Sequence, residues 1–465
     1  MDYNLIVQPW IPVLWSDGEY KRVGIRDALV KASCIRQIAA SNPMDRVAIL
    51  RFLLALLYWC KGNPPDKGSA ISGTPFPPEW FAKLDDNRDC FNLLGEGKRF
   101  YQDRDARRSR AATDLVQEIP TGNNFWHFRH SIDQEDGLCL ACCAMGLLRL
   151  PLFSVSGLPD LKSGINGTPP VYVVPWGRSL LQTLQANWVT YTNLGEPAWV
   201  HPEVRLTPAQ EVPLLTGLTL LSRRVWLHDL GQPGPCVGCG AKTVLIRTCE
   251  FQSAGAQKND RWNDPHVVYW GETPRKAFKA ADLTAAGKFR MDRPWPYLLA
   301  GVGQEGKFGL MDKPISLLIV GFATDQAKNI DVWERILAAP STGSTQETGT
   351  SSMQQWQREG GRLERRIARI VRSQDQGAAA IAAARPHVEG RVSAKAGELI
   401  VGTDEAWNRA AAEYRPMMEA IARSLSPGFT TAAVQRRREI ADVLPDMWPR
   451  TESAKKPGRK KGGER

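Results

Sequence analysis

Two CxxC knuckles, Cys139-Leu140-Ala141-Cys142 and Cys236-Val237-Gly238-Cys239, narrow the folds open to this chain more than anything else in it. Together they offer four thiolates, the donor set of a closed, tetrahedral structural zinc site, and ligands so far apart in sequence must pull two distant segments together. Gly231-Gln232-Pro233-Gly234-Pro235, just ahead of the second knuckle, reads as a turn that lets backbone amides face the sulfurs. Catalytic zinc keeps an open position and usually a carboxylate close by, so the pattern reads as Zn2+ serving as a clasp. Two alternatives stand beside this: the thiols are ordinary core residues, and Cys143 competes with Cys142 as the ligand of the first pair.

The surrounding chain reads as a mixed α/β domain. Asn4 to Val7 and Ile11 to Trp15 are predicted as short strands around Pro9, with Asp17-Gly18 as a hairpin turn before Tyr20 to Ile25. Ser41-Asn42-Pro43 caps a helix running to Trp59, and Gly62-Asn63-Pro64-Pro65 stops it. Its apolar run, Val47 to Cys60, is too short and too interrupted by Arg51 for a membrane span, so it is a buried core helix. A short helix from Cys142 to Leu150, a strand Val171 to Val174 and a helix Ser179 to Trp188 follow.

Charge points to the partner. The formal net charge is +11, which favours a polyanion over a small substrate. Arg99, Arg104, Arg107, Arg108 and Arg110 gather beside Phe100 and Tyr101, a mixture suited to phosphate contact and base stacking, or equally to a solvated loop. The nine cysteines, an odd number, fit a reducing cytoplasm better than a disulfide framework, and no signal peptide is visible.

Asn4-Leu5 with Trp10-Ile11-Pro12-Val13, the knuckle at Cys139, the loop Lys162-Ser163-Gly164-Ile165-Asn166-Gly167-Thr168-Pro169 and the knuckle at Cys236 occur in an order that resembles a known family. The chain resembles the large subunit of the type I-E CRISPR Cascade surveillance complex, by motif to about residue 335 and by helical architecture beyond. The resemblance implies a non-catalytic protein that meets guide RNA and other Cascade subunits, and probes the protospacer-adjacent motif of target double-stranded DNA from the minor groove. It would open the duplex for guide pairing and support a target-degrading nuclease, either a separate helicase-nuclease or one fused to another subunit. Three motif readers are implied. The glycine loop falls at Ser156 to Gly164, where only Gly157 and Gly164 keep the family's glycines and Lys162 lies between them; the lysine finger falls at Lys258, with Lys242 as fallback; the glutamine wedge is Gln326, after Leu317 to Asp325. Asn124, Phe125, Trp126 and His127 match the loop that meets the guide RNA's 5′ end.

The fold class implied is α+β: a mixed α/β motif-recognition domain over 1–340 with the cysteine site, a Ser/Thr/Gly linker at 341–350, a C-terminal four-helix bundle over 351–448 and a basic tail at 449–465. In the bundle, Arg358, Arg362, Arg365 and Arg369 form a stripe fit for DNA phosphates or for solvent. Two rival classes are weighed: a zinc- or HD-dependent nuclease, prompted by His228-Asp229, and a zinc-stabilised RNA-binding scaffold. Six histidines supply no evident partners for an HD metal pair, and Gly301-Val302-Gly303-Gln304-Glu305-Gly306, hemmed by prolines, is a loop and not a dinucleotide site.

Overall fold

The computed structural model describes residues 3–65, 73–116, 137–155, 163–204, 206–207, 210–228, 230–253, 259, 261–267, 269–270, 276–277, 279, 316–325, 328–338, 430–435 and 438. The chain divides into two compact units, Met1–Thr284 with Gly301–Ser341, and Ala285–Ala300 with Thr342–Arg465.

The first unit is built on α2 (Pro43–Lys61). Asn42 caps it as the sequence predicts, its side chain accepting Met44 N–H at 2.8 Å with Pro43 at the first helical position, and Gly62 at φ +85° ends it. At 19 residues α2 spans about 28 Å, long enough to thread the whole core. Its residues Val47 to Trp59 are all buried. Around Phe52 the rings of Phe100 and Trp199 stand edge-on at 5.3 and 5.6 Å between centroids, which explains why the helix is apolar on every face.

Small sheets and short helices surround it. β1 (Ile11–Trp15) pairs antiparallel with β2 (Tyr20–Val23) and with β3 (Ile35–Ile38), and α1 (Ile25–Val30) connects the last two. The predicted strand over Asn4–Val7 is a turn. Asn4 Oδ1 accepts Ile6 N–H at 3.1 Å, so a local side-chain bond takes the place of a ladder there, and only an isolated bridge to Asn92 remains. After α3 (Ala82–Asp86), β4 (Ser109–Ala111) joins β9 (Thr248–Ser253) and β6 (Arg223–Leu227) in the order β4-β9-β6.

The remaining elements carry the candidate site. α4 (Leu140–Phe153) packs on α2 and is buried along its length. β5 (Tyr172–Trp176) leads into α5 (Leu180–Asn187), which Ser179 caps, and α6 (Leu214–Thr219) follows. β7 (Pro233–Pro235) and β8 (Lys242–Val244) form a hairpin, as do the two-residue strands β10 (Tyr269–Trp270) and β11 (Lys276–Ala277). The stretch at Pro233–Pro235 is therefore a strand and not the predicted turn; its partner is Lys242–Val244. Last, β12 (Ser316–Asp325) lies between β5 and β13 (Lys328–Ala338). β5 supports β12 only over Ser316–Val320, while β13 pairs with it to Asp325, so the hairpin runs past the end of β5 with a bulge at Ala323/Thr324.

In the second unit the described residues form one helical turn, with Thr430 Oγ1 accepting Ala433 N–H at 3.2 Å. The rest of the predicted bundle, including Arg358, Arg362, Arg365 and Arg369, lies outside the described residues.

Candidate metal centre and nucleic-acid interface

Cys139 is the N-cap of α4 and Cys142 lies in its first turn, so the first knuckle is a helix N-terminus, where the backbone dipoles favour thiolate. The second knuckle is the tip of the β7–β8 hairpin. There Gly240, at φ +73°, lets its N–H return to Cys236 O at 2.7 Å, a bend that a side chain would strain. Gly238 is needed for a different reason: a Cβ at that position would sit 3.1 Å from Cys142 Sγ. Leu138 and Ile246 exchange backbone hydrogen bonds at 2.9 and 2.8 Å, zipping the two segments together beside the cysteines.

The sulfurs of Cys139, Cys142, Cys236 and Cys239 all lie within 4.8 Å of one another, and Cys139 Sγ is 3.7 Å from Cys239 Sγ. A tetrahedral ion with metal–sulfur bonds near 2.3 Å requires sulfurs about 3.8 Å apart, so the set fits one ion. Cys143 is excluded from it. Its thiol is fully buried and lies 3.9 Å from Leu138 O, outside the group of four sulfurs, which resolves the choice in favour of Cys142. Among the four, the hydrogen bonds from Cys139 and Cys142 hold Cys236 far below the usual thiol range, helped by Cys139 N–H at 3.2 Å. For Cys139 the bond to Cys142 pulls down, but Cys236 and burial prevail and leave it near 12. Arg22 of β2 loses charge stability through burial and more than regains it from a hydrogen bond to Cys239 and the neighbourhood of Cys139 and Cys142, so a cation sits beside the cysteine cluster.

A second constellation centres on Asp264, which is completely buried. Arg51 of α2 grips it with both fork nitrogens, Nη1 to Oδ1 at 2.6 Å and Nη2 to Oδ2 at 2.9 Å. Oδ1 also accepts His266 N–H at 2.9 Å, and Oδ2 accepts Asn166 Nδ2 at 3.0 Å and Trp262 Nε1 at 3.3 Å. Burial alone would raise this carboxyl; the Arg51 charge and its hydrogen bonds outweigh it and hold Asp264 near 2. Arg51 Nη1 also lies 2.8 Å from His266 Nδ1, and a guanidinium can only donate, so the imidazole proton is on Nε2, facing Asn187 Oδ1 at 3.0 Å. Asn259 adds a second tie, its N–H donating to Ile165 O at 3.1 Å.

α2 makes two further ion pairs. Asp45 holds Arg149 of α4, with Nε to Oδ1 at 2.8 Å, and Arg46 holds Glu334 of β13, with Nη1 2.7 Å from both oxygens. One helix thus fastens the cysteine-bearing helix, the long hairpin and the segment around Asp264.

Of the sequence-assigned residues, Gly164 is described: it is buried, pairs with Gly167, and admits no Cβ because Pro151 O would lie 2.6 Å away. Gly157, Lys162, Lys258 and Gln326 lie outside the described residues, as do Asn124, Phe125, Trp126 and His127. The arginine cluster is corrected in its partner. Phe100 and Tyr101 are core residues, 0% and 4% exposed, and the ring available to the arginines is Trp226, with Arg99 and Arg104 over it at 4.0 and 5.0 Å. Arg104, Arg107, Arg108 and Arg110 remain exposed. The sequence does not single out Arg22, Asn166, Asp264 or Glu334; the charge of Arg51 inside an apolar helix is the one signal of a buried partner such as Asp264. Among the described residues the four cysteines are the one cluster of His, Cys, Asp or Glu fit to hold a metal, and no helix is long and apolar enough to cross a membrane.

These features define a mixed α/β protein with a four-cysteine cluster fit to hold a metal ion. The family model for CRISPR-associated protein Cse1 matches residues 4–444, and the chain belongs to that family, which confirms the resemblance to the large Cascade subunit. CRISPR-associated protein CasA/Cse1 of Thermus thermophilus is 28% identical over 382 residues, covering 73% of this chain and 71% of that protein. The solved structure of Thermus thermophilus CasA (Cse1) covers 96% of this chain and 99% of its own at TM-score 0.70 and 19% identity. A chain of a CRISPR RNA-guided surveillance complex covers 96% and 98%, with TM-score 0.71 and 16% identity. At these identities the last two similarities speak for the fold.

Proposed function

We propose that this chain is the non-catalytic large subunit of a type I-E Cascade complex, cytoplasmic, that reads a protospacer-adjacent motif in double-stranded DNA and opens the duplex for guide-RNA pairing. Its four cysteines hold structural Zn2+, the ion that four thiolates in a closed set favour. The observation that carries the reading is the joint anchoring of the three reader segments on α2. Asn166 and Trp262 adjoin the glycine loop and the lysine finger in sequence and meet on Asp264, while Glu334 ties the hairpin that precedes and follows Gln326 to the same helix. A short motif is read by few contacts, so those contacts need a common rigid base.

In this reading Gly157, Lys162 and Lys258 face the groove, the buried Gly164 shapes the base of their loop, and Gln326 enters the base stack, at a cost of a few kcal/mol that contacts to the bent duplex offset. Asn124, Phe125, Trp126 and His127 meet the guide RNA, and the 351–448 bundle uses Arg358, Arg362, Arg365 and Arg369 on DNA phosphates and supports nuclease recruitment. The test is binding of duplexes with a fixed target and randomised flanks to the guide-RNA complex assembled with and without this chain. A short flanking preference that appears only with the chain supports the proposal; identical selection in both leaves a scaffold and refutes it.

A further inference from the structure

Asp264 gathers five hydrogen bonds from three separate segments: two from Arg51 on α2, one from Asn166 in the turn closed by Gly164 and Gly167, and two from Trp262 and His266 in its own segment. One carboxylate offers about four lone-pair directions, and here all are taken by donors from these three segments. The turn it holds is tight for its own reasons: Gly167 N–H bonds Gly164 O at 2.9 Å, and Gly167 sits at φ +74°. Asn259 N–H to Ile165 O adds a bond on the other side of the same turn. The two segments are therefore held in one register by Asp264 at one end and by Asn259 at the other.

We infer that Asp264 is a positioning residue for motif selection, fixing the Gly164–Gly167 turn against the Asn259–His266 segment through Asn166, so that this bridge and not general stability sets which flanking base pairs are accepted. The inference rests on the DNA-reading role proposed above. The Asn166 arm is a single hydrogen bond from a neutral amide, and removing it leaves the Arg51–Asp264 fork that fastens the segment to α2 in place, so the arm adds little to holding the unit folded. It decides instead whether two segments move together or separately, and a reader with loosened segments accepts more sequences.

The two variants are Asn166→Ala, which removes the bridge and with it the long 3.5 Å contact of the same amide to the Tyr172 hydroxyl, and Asp264→Asn, which keeps the shape and replaces an acceptor oxygen by a donor facing Arg51 and Asn166. Each is assembled into the guide-RNA complex, and three quantities are read: selection from a randomised-flank duplex library, affinity for a target whose flank and seed are already open, and metal content with complex yield. The inference expects Asn166→Ala to lower the ratio between favoured and disfavoured motifs about fivefold, the worth of one hydrogen bond, with open-target affinity, metal and yield unchanged. Asp264→Asn relaxes it at least as far. If the natural chain selects a motif and Asn166→Ala selects it equally sharply, the inference fails and the DNA-reading role stands. If the variant loses open-target binding or assembly in parallel with selectivity, the bridge is structural and the inference also fails. If the natural chain selects nothing, both fall.

Discussion

Replacing Arg51 by Met leaves Asp264 fully buried with three neutral donors, Asn166, Trp262 and the His266 amide, and no cation. Two unit charges about 4 Å apart in a medium of effective dielectric near 20 attract by about 4 kcal/mol, and breaking a buried pair by removing one partner costs about 3–5 kcal/mol, so the two lines of argument agree. Asp264→Asn strands the guanidinium instead and costs a similar amount. The double variant strands neither charge, losing chiefly the fork and leaving His266 Nδ1 without its donor, so it is expected to be milder than the sum by about 2–3 kcal/mol. Urea unfolding followed by tryptophan fluorescence reports chiefly the first unit, which holds twelve of the sixteen tryptophans, with Trp262 on Asp264 and Trp10, Trp59 and Trp199 in the core. A sum additive to within about 0.5 kcal/mol refutes the account, since it means that the pair is not energetically coupled.

Three further outcomes follow from the same geometry. If the cysteines hold the proposed zinc, Cys236→Ser, or chelation of the natural chain, removes the metal link between the α4 N-terminus and a hairpin 97 residues away in sequence; a cross-link over such a loop contributes about 4–5 kcal/mol, and metal analysis should fall from one zinc per chain to none. Asp264 is depressed from 3.8 to near 2, so its stabilisation is complete above about pH 4 and is lost as pH falls toward 2, about 2 kcal/mol in all, a component that acid titration of Asp264→Asn should lack. Gly217→Ala gains about 1 kcal/mol of helix propensity, but its Cβ would lie 2.3 Å from the buried Trp262 ring, so overpacking of about 1–3 kcal/mol wins and urea unfolding shifts to lower concentration.

What the sequence disclosed was chiefly local chemistry. Asn42-Pro43 and Gly62 mark both ends of α2 because caps act over a few residues, whereas the helix expected from Cys142 to Leu150 runs from Leu140 to Phe153 and takes the first knuckle into its N-terminus. The choice between Cys142 and Cys143 required three dimensions, since both lie in the first turn and only the hairpin's approach at Gly238 selects the sulfur. Phe100 and Tyr101 misled because a basic, aromatic stretch looks the same whether its rings face solvent or the core; Phe91 and Phe52 decide it. Asp264 was hidden for a more general reason. Its partner Arg51 is 213 residues away, and no periodicity records such a pairing.

The proposed opening of duplex DNA is tested most directly by Gln326→Ala. Affinity of the assembled guide-RNA complex is measured for a closed duplex and for the same target with the flanking step already unpaired, with a fluorescent base reporting unstacking at that step. The account predicts a duplex affinity at least about tenfold weaker, slower unstacking and unchanged binding of the open target, because the wedge offsets an unstacking cost of a few kcal/mol. Equal losses on both targets, or none on either, would contradict it.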